Sequence, residues 1–227
     1  AFHGWQRQPN ASSVQQTLEE ALATILRTET PIMGAGRTDT GVHASAQYAH
    51  FDFDGDLDAR LFRSLNGFLD ENIAIHGLYR ATQPDAHARF SAQSRSYIYR
   101  FVLHKSPVWY ERAWYLKNPN LDWQAMQKAA KILLEHEDFA SFCKAGGNNN
   151  TTFCDITNAT FSTDNELIEF HISANRFLRG MVRAVVGTLI EVGKTKLSVD
   201  GLRTIIKARD RSAAAMAALP QGLYLSA

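Results

Sequence analysis

Two strand-like segments separated by a very short polar break constrain the fold of this chain more than any other feature. The segments cover residues 153–162 and 166–174, and Thr163-Asp164-Asn165 lies between them. A break of this length suits a turn between antiparallel neighbours, because parallel strands need a crossover of a dozen or more residues. An apolar helical pattern follows over residues 177–192. Neighbouring strands beside helices predict an α+β fold, with antiparallel sheets that carry helices on one face.

The rest of the chain also mixes helix and strand patterns without the regular alternation of a parallel sheet. Predicted helices are one that is capped by Ser13 and ends before Pro31, one over residues 57–69 after Asp56, one over 122–136 capped by Asp122, and one over about 199–208 after Ser198. Predicted strands cover residues 47–53, 73–80 and 95–103. The pattern breaks around Gln83-Pro84-Asp85, so we expect an N-terminal subdomain of residues 1–84 and a C-terminal subdomain of residues 85–227.

Composition excludes several classes of protein. Apolar runs stay short of the roughly 18 residues that a membrane span needs, so we expect no membrane partner. The two cysteines, Cys143 and Cys154, are too few for a disulfide framework or a zinc site, which favours a reducing, cytoplasmic setting. The net charge of +1 does not itself indicate nucleic acid, although locally clustered cations can still bind it.

The segment Gly34–His43 has the clearest chemical content. Its glycines permit sharp bends and close approach to a ligand, so Asp39 is positioned and not merely solvated. Arg37 lies close by in the sequence, and a nearby cation favours the ionised form that a carboxylate nucleophile needs. An ordinary Asx-turn, in which an aspartate bonds its own backbone, explains the same residues without any function.

Other kinds of site fit this region less well. Asp39 stands where a dinucleotide-binding fingerprint has its third glycine, and a carboxylate at that position would repel a pyrophosphate. His43, His50 and Asp52 lack the spacing of metal ligands, so we expect no metal site. A Ser-His-Asp triad has no nucleophile-elbow motif to support it.

Basic and aromatic residues alternate in the segment from Ala88 to Tyr97. Arginines hold phosphates and aromatic faces stack on bases, so this pattern suits the binding of nucleic acid. The alternative is a strand whose aromatic side chains line the core, which we expect for Tyr99 and Phe101. Tyr97 lies at the start of the predicted strand and fits either role.

A third segment, Phe177–Arg183, opens the apolar helix predicted above. Arg179 and Arg183 are four residues apart, so on a helix both border the apolar face. An arginine at the edge of a buried surface needs a carboxylate or phosphate partner, and Asp39 is one candidate. Alternatively, both side chains extend to water along the helix surface.

Together, these segments resemble the tRNA pseudouridine synthase A family. The family motifs are G-R-T-D-x-G-V-H-A, then A-R-F-S-A followed by R-x-Y, and then F-L-x-x-M-V-R-x-x-x-G. The matching positions in this chain are Gly36–Ala44, Ala88–Ala92 with Arg95 and Tyr97, and Phe177–Arg183 with Gly187. The opening Phe2-x-Gly4-Trp5-Gln6 is similar to the family's N-terminal signature.

The resemblance implies two α+β subdomains whose sheets join across a central catalytic cleft. It also implies a homodimeric isomerase that converts uridines 38–40 of the tRNA anticodon stem-loop to pseudouridine. This reaction breaks the C1′–N1 bond and joins C1′ to C5, which requires neither redox chemistry nor energy input, so we expect no cofactor. A catalytically silent tRNA-binding protein of the same fold is the alternative.

The same resemblance assigns roles to individual residues. Asp39 is implied as the nucleophile, Tyr97 as the ring that stacks on the target uracil, and Arg183 as the ion-pair partner of Asp39. Arg37 is implied in holding the backbone of the flipped nucleotide. Other cations expected to bind the substrate are Arg89, Arg95 and Arg179.

Two segments depart from the family pattern or have no role in it. Ser212–Pro220 is rich in alanine where a more polar, glycine-containing loop is expected, which predicts a slightly altered rim of the cleft. The Gly146–Asn150 loop lies between Cys143 and Cys154 and has no family role. We expect both cysteines to be buried or half-buried thiols.

Overall fold

The structure is a computed structural model that describes residues 1–117, 120–144, 146 and 151–227. In this part of the chain the α-helices are α1 (Val14–Leu26), α2 (Leu61–Phe68), α3 (Trp123–Ile132), α4 (Met181–Gly193) and α5 (Val199–Ala208). The strands are β1 (Met33–Gly34), β2 (His43–Ala44), β3 (Ala49–His50), β4 (Arg95–Val102), β5 (Trp114–Tyr115), β6 (Ile156–Asp164), β7 (Leu167–Ala174) and β8 (Leu223–Leu225). Short 3₁₀ helices cover Leu133–Glu135, Ala140–Phe142, Arg211–Ala213 and Pro220–Gly222. Among the helices described, none has the length and apolar character to cross a membrane.

The chain divides into two compact units. Unit 1 comprises residues 1–41 and 47–92, and unit 2 comprises residues 42–46 and 93–227. The functional boundary after residue 84 stays a prediction. The Gly146–Asn150 loop lies outside the described residues except for Gly146.

Unit 1 is built from two helices and a short antiparallel pair of strands. The side chain of Ser13 caps α1 by accepting a hydrogen bond from the backbone N–H of Gln16 over 3.3 Å, as predicted. Strand β1 pairs with β3. The core of the unit consists of Trp5, Ala21, Leu22, Ile32, Leu61, Leu65 and Leu69.

Three predictions for unit 1 are wrong or too long. Residues 73–80, all within the described part of the chain, form no strand. At Ile75 the Asn66 side chain takes the place of a strand partner, with hydrogen bonds of 2.8 and 3.0 Å to both backbone groups. Helix α2 starts at Leu61 without a side-chain cap, and not after Asp56. The strand predicted over residues 47–53 is reduced to β3.

Unit 2 contains a six-stranded sheet with the order β2-β8-β4-β7-β6, in which β5 also pairs with β4. Strands β6 and β7 form the antiparallel hairpin predicted from the sequence, and β4 pairs antiparallel with β7 and β8. The pairs β2–β8 and β4–β5 are parallel, so this sheet is mixed. Residues 45–222 connect β2 to β8 and residues 103–113 connect β4 to β5, so neither parallel pair is joined by a tight turn. The predicted α+β class is confirmed.

Helices α3, α4 and α5 belong to the same unit. Asp122 and Ser198 cap α3 and α5 with side-chain hydrogen bonds of 2.9 Å each, as predicted. Helix α4 is almost entirely buried, but it starts at Met181 and not at residue 177. The reason is Gly180, whose φ of 71° is left-handed and interrupts helical geometry.

Candidate active site

Asp39 lies half-buried in a loop of unit 1 that is fixed by three hydrogen bonds. Ala35 N–H donates to the Tyr48 carbonyl over 2.8 Å, and the Gln47 side chain donates to the Gly36 carbonyl over 3.0 Å. Thr38, immediately before Asp39, accepts a 3.1 Å bond from Trp5 N–H. The loop backbone is therefore held on both sides of Arg37.

Gly4 brings the N-terminal segment into direct contact with this loop. Its φ is 86°, and a Cβ added there would overlap the Thr38 carbonyl oxygen and approach the carbonyl carbon of Asp39 to 3.1 Å. The neighbouring Trp5 is 6% exposed, and its ring packs on Gly34, where an added Cβ would lie 2.5 Å from ring atom Cε2. Only a glycine fits this approach without displacing the backbone that carries Asp39.

Helix α1 anchors the N-terminal segment. Val14 N–H donates to the Gly4 carbonyl over 3.2 Å, and Gln15 N–H donates to the Trp5 carbonyl over 3.0 Å. These donors belong to the first turn of α1 and have no partners within the helix. Sequence reasoning recognised Gly4 and Trp5 as a signature but missed that they support the Asp39 loop.

Tyr97 lies in β4 of unit 2, between Ile172 of β7 and Leu225 of β8. The ring is half-buried, and it meets Phe177 edge to face with 5.2 Å between the ring centroids. This geometry is favourable for aromatic pairs. The second and third sequence motifs therefore meet at Tyr97 and Phe177.

Arg183 lies in the first turn of α4, and the segment before residue 220 holds its side chain. Its Nε donates to the Ala218 carbonyl over 2.7 Å, and Ala218 N–H donates to the Arg183 carbonyl over 2.9 Å. These reciprocal bonds orient the guanidinium relative to α4.

The segment that holds Arg183, residues 214–219, is named here the alanine strap. It packs so closely on α4 that a Cβ at Gly187 would overlap the Met216 carbonyl oxygen. Ala215 N–H donates to the Thr188 hydroxyl over 3.2 Å, and the Tyr99 hydroxyl donates to the Leu219 carbonyl over 2.7 Å. The absence of a side chain at Gly187 permits this approach, and Ala214 and Ala218 are the buried residues of the strap.

The remaining arginines that were predicted to bind substrate lie in both units. In unit 1, Arg37 and Arg89 are exposed. In unit 2, Arg95 is half-buried and donates to the Asn175 carbonyl over 3.3 Å. Arg179 is exposed and precedes α4, so the prediction that Arg179 and Arg183 share one helical stripe is wrong.

The histidines considered as metal ligands contribute to packing and backbone hydrogen bonds. His43 Nε2 donates to the Glu111 carbonyl over 3.0 Å, and its ring stacks on Tyr224 with 4.7 Å between centroids. His50 Nδ1 accepts a 3.2 Å bond from Ala88 N–H. In the described residues, no three His, Cys, Asp or Glu side chains cluster as a metal site would require.

The two cysteines are a half-buried and a buried thiol, as predicted. Cys143 is half-buried, and Cys154 is 2% exposed. Burial raises the pKa of the Cys154 thiol to about 11. A thiol in that environment is a weak nucleophile at neutral pH.

Several cations near the C-terminal end of the sequence are paired with acids. Arg203 contacts Glu135, and Arg209 lies 2.9 Å from Asp138. Lys194 lies 3.0 Å from Glu191. The crowding of cations in this part of the sequence therefore reflects ion pairs at least in part.

Comparisons with known proteins give a consistent result over the length of the chain. A family model described as tRNA pseudouridine synthase matches residues 129–227. The tRNA pseudouridine synthase A of Parabacteroides distasonis is 45% identical over 227 residues, which cover 99% of this chain and 89% of the relative. The enzyme of the same name from Bacteroides fragilis is also 45% identical, with the same coverage. That from Ehrlichia chaffeensis is 39% identical, covering 98% of this chain and 92% of the relative.

Proposed function

The chain belongs to the tRNA pseudouridine synthase A family, and on that basis we propose how its residues act and which uridines they modify. The protein is an isomerase that converts uridine in tRNA to pseudouridine. The reaction breaks the C1′–N1 bond and joins C1′ to C5 of the same base. Substrate and product have the same atoms, so no second substrate is consumed. The detached base must be held and turned until C5 faces C1′.

Asp39 is the proposed nucleophile. The observation that carries this assignment is the bracing of its loop, in which Thr38 is held by Trp5 and contacted by Gly4. A carboxylate on a fixed backbone keeps its position when the substrate binds, which is the basis of catalysis by orientation. Attack on C1′, addition to C6 and assistance to a glycal intermediate are all compatible with this placement.

Tyr97 is proposed to stack on the target uracil after the nucleotide leaves the helix. Base flipping costs a few kcal/mol and needs an aromatic or apolar surface to receive the base. The edge-to-face contact with Phe177 supports this role, because it fixes the Tyr97 ring.

Arg183 is proposed to form an ion pair with Asp39 during the reaction. Its orientation by Ala218 supports this role, since a charge-assisted bond gains from a guanidinium held in one position. Arg37 is proposed to hold the backbone of the flipped nucleotide. The other proposed phosphate contacts are made by Arg89, Arg95 and Arg179.

The proposed substrates are uridines 38–40 in the anticodon stem-loop, and the proposed assembly is a homodimer in the cytoplasm. Mapping pseudouridine in tRNA from cells with and without this protein tests the positions. Loss of pseudouridine at other positions alone would contradict the proposal. Sedimentation of the purified protein tests the dimer, and a monomer at working concentration would exclude it.

Replacement of Asp39 tests the nucleophile. Asp39→Asn keeps the shape of the side chain but not its charge, and we expect pseudouridine formation in purified tRNA to fall by about 10³-fold or more. Binding of tRNA should stay within about 2-fold, because the contacts to phosphates remain. Asp54→Asn, at an exposed aspartate of the same unit, is the matched control and should keep full activity.

Two results would contradict these assignments. Retained activity in Asp39→Asn would remove Asp39 as the nucleophile. A wild-type protein that binds tRNA without converting any uridine would indicate the silent binding protein, which none of the comparisons supports.

A further inference from the structure

The turn that carries Arg89 and Phe90 in unit 1 is held by two histidine rings. His50 Nδ1 accepts a hydrogen bond from Ala88 N–H over 3.2 Å. His87 Nδ1 accepts bonds from Arg89 N–H and Phe90 N–H over 3.1 and 3.3 Å. The backbone of the turn is therefore fixed up to Phe90.

The same histidines form a row of rings that ends at Phe90. The centroids of His50 and His87 are 4.6 Å apart, and those of His87 and Phe90 are 4.4 Å apart. Phe90 is nevertheless 76% exposed. The row thus runs from half-buried histidines to an aromatic ring that faces solvent.

Exposure alone does not indicate a function, because large apolar side chains are common on protein surfaces. Tyr79 in the same unit is 85% exposed. Phe90 differs because its backbone is held by His87, its ring contacts the His87 ring, and the Arg89 guanidinium lies 5.6 Å from its centroid. A fixed aromatic ring beside a cation matches the two parts of a nucleotide, the base and the phosphate.

We propose that Phe90 is a stacking platform for a nucleobase of the bound tRNA, separate from the uracil that reacts. Arg89 contacts a phosphate next to that base. The inference rests on the proposed function, because it takes tRNA as the substrate. Stacking on Phe90 contributes to tRNA affinity and tolerates different bases, since every base has a π face.

Substitutions at Phe90 separate base stacking from other roles. Phe90→Ala should weaken tRNA binding about 5- to 100-fold at fixed salt. Phe90→Tyr should bind within about 2-fold of wild type, because it keeps the ring, whereas Phe90→Leu keeps an apolar side chain and should bind nearly as weakly as Phe90→Ala. Tyr79→Ala removes an exposed aromatic ring outside this turn and should bind like wild type.

The dependence of binding on salt separates Phe90 from Arg89. Phe90→Ala should leave the slope of log K against log salt unchanged, because a neutral ring releases no counterions. Arg89→Gln should make that slope less steep by about 1. Thermal unfolding of each variant should match wild type, since both side chains are exposed.

Two results would contradict the proposal that Phe90 stacks on a nucleobase. One is wild-type affinity in Phe90→Ala, and the other is full affinity in Phe90→Leu, which would indicate apolar contact without stacking. In either case, pseudouridine formation by the wild-type protein would leave the proposed function intact. Failure of the wild-type protein to bind or modify tRNA would instead contradict the proposed function.

Discussion

Gly4 lies so close to the backbone of the Asp39 loop that a side chain at this position would displace it. Gly4→Ala introduces a Cβ that overlaps the Thr38 carbonyl oxygen at a left-handed φ of 86°. We expect kcat to fall by about 10- to 100-fold, because a small displacement of Asp39, the proposed nucleophile, is costly. The KM for tRNA should change less than kcat does, because the proposed phosphate contacts at Arg89, Arg95 and Arg179 lie outside this loop.

The control for this prediction is Gly146→Ala. Gly146 also has a left-handed φ, 76°, but an added Cβ would meet no atom of the described residues within 4 Å. The Gly146→Ala variant should therefore have the strain of alanine at a left-handed φ without a loss of kcat. A Gly4→Ala variant with a wild-type kcat and normal folding would show that the loop does not depend on this contact.

His43 should make the stability of the protein depend on pH. Burial lowers the pKa of His43 below its ordinary value of 6.5, against the opposing effect of its hydrogen bond to Glu111. The unfolded chain then binds a proton more readily than the folded one, so the free energy of unfolding falls as the pH falls through 6.5. The loss ends below the lowered pKa of the folded state.

Urea unfolding of wild type and His43→Gln at about pH 7.5 and 5.5 measures this contribution. Glutamine offers an amide donor in place of Nε2 but does not titrate, so the variant should lose less stability on acidification than wild type. An equal loss in both proteins would show that His43 does not contribute. The other histidines are common to both proteins and cancel in the comparison.

At the scale of elements, the alanine strap and α4 form one supporting structure for Arg183. Gly187→Ala places a Cβ on the Met216 carbonyl oxygen and should push the strap away from the helix. We expect a loss of about 1–3 kcal/mol in the free energy of unfolding, the usual cost of overpacking. We also expect lower kcat, because Ala218 then no longer orients Arg183.

Gly67→Ala is the matched control for this change. Gly67 lies within α2, and in the described part of the chain no atom lies within 4 Å of a Cβ added there. The variant should be neutral or more stable by up to about 1 kcal/mol, because alanine favours the helix. Equal stability of Gly187→Ala and wild type, measured by urea unfolding, would contradict the tight contact.

Elements specified by local interactions were predictable from the sequence. The caps at Ser13, Asp122 and Ser198 and the β6–β7 hairpin depend on residues a few positions apart. In the segment 73–80, where the predicted strand is absent, a side chain from α2, Asn66, bonds both backbone groups of Ile75. Alternation of apolar residues carries no information about such a partner.

The candidate site was predictable to a similar extent. Asp39, Tyr97 and Arg183 were selected from motifs, and their catalytic roles stay predictions. The residues that position Asp39 and Arg183 were not predictable. Gly4 contacts the Asp39 loop and Ala218 bonds Arg183, and both contacts join residues that are distant in sequence. Ala218, for example, lies 35 residues from the arginine that it orients.

For the whole molecule, the net charge of +1 means that electrostatic attraction to tRNA depends on where individual cations lie. Arg179 is exposed and is a proposed phosphate contact, so Arg179→Gln should make the salt dependence of tRNA binding less steep by about 1. Arg203 contacts the Glu135 carboxylate, so Arg203→Gln should leave that slope unchanged. Equal slopes for wild type and Arg179→Gln would exclude a phosphate contact at Arg179.

The order of strands in unit 2 has a consequence for synthesis of the chain. Strand β8 lies between β2 and β4, and Ser45, next to β2, bonds Leu225 across 180 residues of sequence. At about 5–20 residues per second, a ribosome needs roughly 10 to 40 seconds to make that interval. The segment that follows Asp39 therefore emerges long before its sheet partner exists. A nascent chain can pair the segment that follows Asp39 with β8 only after translation of residues 223–225 is complete.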